Sequence, residues 1–546
     1  MDRRELLKLL AAAPALAAGP AAQAAHKSHG KAEAGPFTTG WDSLSTYTTP
    51  EWYRNAKFGL WAHWGPQCQP EFGDWYARAM YEEGSEAYKY HLKKYGHPSQ
   101  FGFKDVIHEW KAERWDPDAL VGLYKSVGAR YFVALANHHD NFDLYASKHQ
   151  PEWNATRIGP KRDLIGGWAK AARKHGLPFG VSVHAAHAWT WFEVAQGADK
   201  NGPMAGVPYD GNLTRADGKG KWWNGLDPQG LYAQGHARSL TGEEGGNWNE
   251  QWHWRGGASI PSKAYCDKFF ARTKDLVDSY DPDLVYFDDT VLPLWPVSDV
   301  GQRLAAYIYN RSIATKGKLD VVVNGKILDP VQRRSMVMDI ERGQSNRIEP
   351  LPWQTCTCIG NWHYDRSVYD QHAYKSAQTV VHTLIDVVSK NGNLLLNIPV
   401  RGDGSIDEQE RAIVEEIGRW MAVNGEGIYD TRPWTVLGEG PALEGQAALS
   451  GAGFNEGKNK PFTAQDVRFT TKGKAIYAFV MGWPEDGKVL IKAMGSASPH
   501  MKQGVARVDL VGRDQPLSFS HSAEGLRVTL PADKPALPYA VALRIV

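Results

Sequence analysis

A short apolar segment that ends in two histidines and an aspartate most constrains how this chain folds. Residues 131–137 are mainly aromatic, β-branched or small, which predicts a buried strand, and His138, His139 and Asp140 follow it directly. The same arrangement recurs in three other segments, at residues 57–65, 179–187 and 284–289. Parallel strands that each end in a polar group are typical of a (β/α) barrel, whose functional site lies at the carboxyl ends of its strands.

Strand-like and helix-like segments alternate from residue 41 to about residue 430, and the character of the chain changes after that. The alternation predicts a TIM-like α/β barrel of about seven to eight βα units over residues 41–430. Short alternating runs separated by Gly, Pro and Asp predict a C-terminal antiparallel β-sandwich over residues 431–546. A Gly- and Trp-rich stretch, residues 197–260, interrupts the barrel pattern, and loops of that length are usually functional.

The first residues have the features of an export signal. Arg3 and Arg4 precede a short apolar stretch, and Ala-Gln-Ala at residues 22–24 has the pattern of a cleavage site. These features predict a twin-arginine signal peptide over residues 1–24. We expect residues 25–40 to form a loose leader, the mature protein to be periplasmic or secreted, and no segment to span a membrane.

Composition and charge exclude several classes of function. The formal net charge of +1 gives no indication of a nucleic-acid partner or of binding to an anionic membrane. The four cysteines show neither a Cys-x-x-Cys pair nor zinc-ligand spacing, and we expect them to be free, buried thiols. The 22 tryptophans are an excess that suits both a large aromatic core and a cleft in which rings stack on sugars.

The chemistry that the residues predict is that of paired carboxylates. The chain contains no Gly-rich phosphate loop, Gly-x-Ser-x-Gly elbow or His-Glu-x-x-His motif. Asp288 ends one predicted strand and Glu341 ends a later one, so they are our candidates for nucleophile and acid/base. In retaining glycosidases two such carboxyl groups lie about 5 Å apart. Asp289 should point to the opposite face of its strand and serve the structure instead.

Three histidines at strand ends leave a second interpretation open. His63, His138 and His139 carry side chains that commonly bind metal ions. Because adjacent residues of a strand point to opposite faces, His138 and His139 reach one ion only if the chain bends. A ring of His, Trp and Asn side chains also suits hydrogen bonds to several hydroxyls of one ligand, and we therefore expect no metal.

Motifs that occur in order along the chain resemble those of one enzyme family. The matching segments are Lys57–Gly65, Gly73–Tyr76, Asn137–Phe142, Gly159–Asp163, Pro282–Asp288 and Gly392–Ile398. With these segments the chain resembles the family 29 glycoside hydrolases, the α-L-fucosidases, from residue 51 to about residue 430.

The resemblance implies a barrel followed by a β-sandwich, and an exo-acting hydrolase that removes terminal α-L-fucose with retention of configuration. It implies Asp288 as the nucleophile, no cofactor, and a fucosylated oligosaccharide or glycoconjugate as the partner. The residues that it assigns to the sugar are His63, His138, His139 and Trp75. We expect three further residues to line the same site, namely Asp74, His184 and Tyr286.

The chain departs from the family pattern where many members carry a glutamate. Gln354 stands at that position, and an amide cannot transfer a proton, so the acid/base lies elsewhere. We assign this role to Glu341 by its strand-end position, with Glu349 as the alternative. Two other functions stay open: an exo-glycosidase for a fucose-like sugar such as a galactoside, and a non-catalytic carbohydrate-binding protein. The first is open because a pocket built for a methyl group discriminates weakly against an added hydroxyl.

Overall fold

The computed structural model describes residues 35–233, 235–240, 254–444, 456–501 and 504–546. The predicted signal peptide and most of the leader lie outside the described residues, so export stays a prediction. Phe37, which falls in the expected loose leader, is buried and packs on Tyr309 with ring centroids 5.1 Å apart. Its backbone N–H donates to Asn310 Oδ1 at 3.0 Å. The chain is therefore already docked on the barrel before residue 40.

Eight parallel strands form a closed barrel, which confirms the predicted fold. Each strand pairs with the next one along the chain, and β8 pairs with β1 to close the ring, with Phe58 opposite Leu394. The strands are β1 Phe58–Ala62, β2 Tyr131–Asn137, β3 Phe179–Val183, β4 Leu284–Phe287, β5 Val322–Gly325, β6 Val337–Glu341, β7 Trp353–Cys358 and β8 Gly392–Asn397.

Several helices around the barrel begin at side-chain caps that accept a backbone N–H of the first turn. Five such caps are Asp116, Asp163, Ser262, Ser376 and Asp407. The described α-helices are Trp41–Leu44, Glu51–Ala56, Tyr76–Ala79, Glu86–Lys94, Phe103–Glu109, Pro117–Ser126, Leu164–Lys174, Ala188–Trp191, Gln229–Tyr232, Lys263–Tyr280, Val300–Lys316, Gln332–Ser335, Arg366–Asp370, Ala377–Ser389 and Glu408–Asn424. Within the described ranges, no helix combines the length and apolarity that a bilayer span requires.

The predicted insertion at residues 197–260 falls in the connection between β3 and β4. Its described part contains the short helix Gln229–Tyr232, and residues 241–253 lie outside the described residues. Because this connection leaves the barrel at the carboxyl end of β3, the described part of the insertion belongs to the face that carries the strand-end histidines.

The C-terminal region forms two antiparallel sheets, which confirms the predicted sandwich. The larger sheet has the order β13-β16-β11-β10-β9, and the smaller one has the order β12-β15-β14. Their strands are β9 Arg432–Glu439, β10 Val467–Lys472, β11 Ala475–Val480, β12 Lys488–Ile491, β13 Val508–Leu510, β14 Ser518–Ser522, β15 Gly525–Thr529 and β16 Val541–Ile545. Both sheets contribute to one apolar core that contains Phe469, Ile491 and Leu526.

The four cysteines are free and buried, which confirms the prediction from their spacing. Burial raises the pKa of the Cys68 thiol to about 12. A thiol with so little thiolate at neutral pH is chemically inert, so the cysteines serve as small core residues.

A buried ion triad joins the sandwich to the barrel. Arg468 on β10 donates through Nε to Asp386 Oδ1 at 2.7 Å, and Lys390 donates to the other oxygen of the same carboxylate. All three side chains are fully buried. Burial raises the pKa of Asp386, but Lys390 and Arg468 together lower it by more, so the pKa lies below its usual value. The triad stabilises the fold above the unfolded carboxyl pKa, and this contribution is lost as the pH falls through the folded pKa.

We expect Asp386→Ala to destabilise the protein by about 3–5 kcal/mol, because it leaves two buried cations without a counter-charge. Asp430→Ala is the matched control, since Asp430 pairs with Lys472 at 3.2 Å while both side chains are largely exposed. Such a surface pair contributes about 0–1 kcal/mol. Denaturant unfolding followed by circular dichroism measures both changes, and equal losses in the two variants would contradict the role of the triad.

Candidate active site

Polar side chains gather where the barrel strands end. They are His63 after β1, His138 and His139 after β2, His184 after β3, Asp288 after β4, Lys326 after β5 and Glu341 at the end of β6. Backbone contacts also fix this face, since His63 N donates to Asn397 Oδ1 at 2.8 Å and thereby ties β1 to β8. The structure thus brings both predicted catalytic carboxylates and four predicted histidines to one end of the barrel.

Asp288 is held as a carboxylate by three neighbours. His184 Nδ1 donates to Asp288 Oδ2 at 2.8 Å, and His139 Nε2 lies 3.5 Å from the same oxygen. The Lys326 ammonium donates to Oδ1. Burial raises the pKa of Asp288, but Lys326 and His184 together lower it by more, so the pKa lies well below its usual value. An ionised carboxylate at a strand end suits the nucleophile of a glycosidase.

Lys326 bridges the two candidate catalytic carboxylates. Its Nζ donates to Glu341 Oε2 at 2.5 Å and also donates to Asp288. Because an oxygen of each carboxyl group lies within hydrogen-bond distance of one nitrogen, the two carboxyl groups are close neighbours. Burial lowers the pKa of Lys326, but Asp288 and Glu341 together raise it by more. The pKa therefore lies well above its usual value, and the lysine stays charged. Sequence reasoning missed Lys326, although it follows a strand-like run as the other site residues do.

Glu349, the alternative acid/base, lies at the other end of the barrel. Its backbone N–H donates to the Lys390 carbonyl at 3.1 Å, just before β8 begins, and it precedes β7. Its carboxylate accepts from Ser345 and from Arg333, both at 2.6 Å. Burial raises the pKa of Glu349, but Ser345 and Arg333 together lower it by more, so the pKa lies below its usual value. Glu349 is therefore an ionised structural carboxylate, remote from Asp288.

Four imidazole rings line the centre of the site. The His63 ring centroid lies 4.9 Å from that of His184, 5.2 Å from that of His138 and 4.7 Å from that of His363. Burial and the neighbouring histidines lower the pKa of His63 and of His138 well below the usual value, so both rings are neutral. His363, on the loop after β7, was not predicted to take part, because no strand-end pattern precedes it.

The buried ring nitrogens of this cluster are poised to bind hydroxyl groups. Among the described residues, both ring nitrogens of His63 lack a hydrogen-bond partner, and so does the Nε2 of His184. Since the carboxylate of Asp288 only accepts, His184 Nδ1 carries the proton and its Nε2 is an acceptor. Leaving such buried groups unpaired costs about 1–3 kcal/mol each, so a ligand that pairs them gains affinity.

Aromatic side chains surround the histidines. Trp75 is partly exposed, adopts a left-handed conformation with φ 64°, and packs edge-on against Trp191 at 5.7 Å. The neighbouring Asp74 accepts from the backbone N–H of His363 at 2.8 Å. Trp75 and Asp74, which we expected to line the site, thus lie at its rim.

Tyr286 lies beneath the site rather than at its surface. The residue is 1% exposed, and its hydroxyl donates to Asp339 Oδ2 at 3.1 Å in the barrel interior. The Lys326 ammonium sits over its ring, 5.6 Å from the centroid. Tyr286 thus supports Lys326 from below, and its expected contact with a ligand stays a prediction.

Asp289 points away from the site, as the strand alternation predicts. Its carboxylate accepts from His187 Nε2 at 3.0 Å and from the backbone N–H groups of Thr290 at 2.7 Å and Leu294 at 3.0 Å. These bonds fix the start of the loop after β4, so Asp289 is a structural residue.

Two groups of side chains in the described residues have ligand atoms close enough to hold a metal ion. One is His63, His138 and His184, and the other is His139, His184 and Asp288, with ligand atoms within 4.8 Å of one another. His184 belongs to both groups, but its Nδ1 already donates to Asp288. The Lys326 ammonium on Asp288 also opposes a second cation there. The donor set therefore fits hydroxyl groups better than a resident metal.

Comparison with known proteins gives a consistent result. The family model described as Alpha-L-fucosidase matches residues 24–426, and the model described as Alpha-L-fucosidase C-terminal domain matches residues 459–546. The chain is 28% identical over 508 residues to tissue alpha-L-fucosidase of Rattus norvegicus, covering 91% of this chain and 88% of that protein. It is 26% identical over 514 residues to tissue alpha-L-fucosidase of Homo sapiens, covering 92% and 89%.

Solved structures share the fold. A Thermotoga maritima alpha-fucosidase superposes with a TM-score of 0.65 at 24% identity, covering 93% of this chain and all of that one. Alpha-L-fucosidase isoenzyme 1 from Paenibacillus thiaminolyticus superposes with a TM-score of 0.58 at 19% identity, covering 91% and 98%. At these identities the superposition establishes the common architecture of barrel and C-terminal sheets.

We expect the purified protein to contain no stoichiometric metal, because the histidine cluster is partly engaged in hydrogen bonds and lies next to the Lys326 ammonium group. Elemental analysis measures the metal content directly, and thermal unfolding before and after dialysis against EDTA should give the same midpoint. A midpoint that falls with chelator and recovers with one divalent ion would show that the histidines form a metal centre.

Proposed function

The chain belongs to the α-L-fucosidase family, and we propose that it is a retaining exo-α-L-fucosidase acting on oligosaccharides or glycoconjugates. The observation that carries the proposal is the pair of strand-end carboxylates, Asp288 and Glu341, joined by Lys326. One ammonium group that contacts both carboxyl groups keeps them close together, and retaining glycosidases use a close pair, about 5 Å apart, with no water molecule between them.

In the first step Asp288 attacks the anomeric carbon while Glu341 donates its proton to the glycosidic oxygen. The bond from carbon to the leaving-group oxygen breaks, and a fucosyl ester with Asp288 forms. In the second step Glu341 takes a proton from water, whose oxygen attacks the same carbon and releases Asp288. Two inversions give net retention, and the proton balance closes because Glu341 ends as it began.

The histidine cluster supports recognition of a terminal sugar. His63, His138 and His184 are buried and neutral, so they exchange hydrogen bonds with hydroxyls without attracting a charged group. Trp75 at the rim offers an apolar face to the sugar ring. A site with neutral hydrogen-bonding groups at its base and an aromatic ring at its rim suits a single deoxy-hexose, and an exo-acting enzyme binds only that terminal sugar.

The position of Gln354 removes the main argument for a non-catalytic protein. Gln354 is fully buried inside the barrel, where its Nε2 donates to Asp339 Oδ1 at 2.7 Å and its Oε1 accepts from Tyr53 at 2.8 Å. The residue does not face the strand ends, so an amide there leaves the catalytic pair intact. A fucose-like sugar is the other candidate substrate, and aryl fucoside and aryl galactoside assayed side by side separate the two.

We expect Asp288→Gly to abolish turnover on aryl fucosides while circular dichroism stays that of the folded protein. Azide fills the space of the missing carboxylate, so it should restore release of the leaving group and give a fucosyl azide of inverted configuration, identified by NMR. Asp289→Asn is the control, since Asp289 binds backbone N–H groups and should gain nothing from azide. Near-normal turnover by Asp288→Gly would remove it as the nucleophile.

We expect Glu341→Ala to reduce kcat/KM by about 100-fold or more on fucosides with poor leaving groups. Fucosides with an activated aryl leaving group should lose far less, because their departure needs no proton. Glu349→Ala is the matched control and should lower the unfolding temperature while reducing both substrates equally. A selective loss in the Glu349 variant, or equal losses in the Glu341 variant, would transfer the acid/base role elsewhere.

A further inference from the structure

Residues 427–458 lie between the two family matches, and Glu456, in the described end of this segment, lies at the carboxyl-terminal face of the barrel. Its last part places Glu456 against Arg342, the residue that directly follows Glu341. Glu456 Oε2 accepts from Arg342 Nε at 3.0 Å, and the backbone N–H of Glu456 donates to the Arg342 carbonyl at 3.0 Å. Glu456 thus binds both the side chain and the backbone of this turn.

The second carboxylate oxygen of Glu456 is tied to the next barrel strand. Oε1 accepts from Thr357 Oγ1 on β7 at 2.8 Å and also from the Lys375 ammonium. Lys375 in turn donates its backbone N–H to Ile359 at 2.8 Å, just after β7. One carboxylate therefore fastens the end of β6 to the end of β7.

Glu456 is unsuited to be the proton donor itself. Burial raises the pKa of Glu456, but Lys375 and Arg342 together lower it by more. The pKa therefore lies below its usual value, and the group stays ionised at neutral pH. A carboxylate that holds no proton and already accepts from several donors has none to give to a leaving group. Its contribution is to geometry.

The turn that Glu456 grips is strained. Arg342 has φ 46°, a left-handed conformation that a non-glycine residue keeps only where the surroundings enforce it. Arg342 N donates to the Cys356 carbonyl at 2.8 Å, and Thr355 Oγ1 donates to the Gly343 carbonyl at 2.6 Å. Contacts with β7 fix the turn from one side, and Glu456 fixes it from the other.

We propose that Glu456 is a positioning residue for Glu341: by locking the turn at Arg342 it holds the acid/base carboxyl where it reaches the glycosidic oxygen. This inference rests on the proposed function. Its ion pairs are partly exposed, with the Arg342 and Glu456 side chains 22% and 27% accessible, and such pairs add little to stability. Loss of Glu456 therefore affects proton donation more than folding.

The test compares two fucosides that differ only in leaving group, one unactivated and one activated aryl fucoside. Glu456→Gln should lower the ratio of their kcat/KM values by about tenfold, because only the unactivated substrate needs the proton. This ratio does not depend on the fraction of active enzyme, so a purely structural role leaves it unchanged. Glu456→Asp, which keeps the charge, should recover part of the ratio.

Glu444→Gln is the matched control. Glu444 lies in the same connecting segment, is 77% accessible and faces Lys460 at 3.7 Å, so the ratio and the unfolding temperature should stay those of the wild type. If Glu456→Gln does not fold, Arg342→Gln breaks the same pair from the barrel side and should show the same selective loss. An unchanged ratio in the folded variant would overturn the inference.

Failure of the inference and failure of the proposed function give different results. A wild-type protein that cleaves neither fucoside removes both. An active wild type whose selective loss appears in Glu456→Gln but not in Glu341→Ala would make Glu456 the donor itself, and would overturn both the positioning role and the assignment of Glu341 while the fucosidase activity stands.

Discussion

The Lys326 ammonium is the group on which the arrangement of the site depends. The Asp288 carboxylate and the neighbouring Glu341 carboxyl group repel each other whenever both are ionised. The ammonium donates to both Asp288 and Glu341 and offsets that repulsion. The Tyr286 ring lies beneath it at 5.6 Å, and His184 orients the oxygen of Asp288 that Lys326 leaves free. The carboxylates can therefore stay close without a bound ion.

A polar network inside the barrel supports this charged layer from below. Asp339 accepts from Gln354 at 2.7 Å, from Cys356 at 3.0 Å and from Tyr286 at 3.1 Å. Burial raises the pKa of Asp339 to about 6. Networks of this kind specify one arrangement of a core because a partly satisfied member is costly. The network links β4, β6 and β7 directly beneath Asp288 and Glu341.

The fold and most of the strand-end residues of the site could be predicted because barrel strands leave a strong local signal. Apolar runs that end in His or Asp located β1 to β4, and with them His63, His138 and Asp288. Strand β7, Trp-Gln-Thr-Cys-Thr-Cys, gave no such signal, because its inward side chains satisfy Asp339 instead of forming an apolar core. Glu456 is beyond any local pattern, since it reaches Arg342 across more than a hundred residues of chain.

The neutral histidines of the site have a thermodynamic consequence. The pKa of His139 is lowered to about 4, chiefly by burial, and those of His63 and His138 are also depressed. At neutral pH these rings are already in the protonation state that hydrogen bonding to hydroxyls requires. When an uncharged sugar displaces water from them, they exchange no proton with the solvent. Their share of the binding enthalpy is therefore independent of the buffer, and protein and ligand meet without the proton linkage that charged imidazoles would impose.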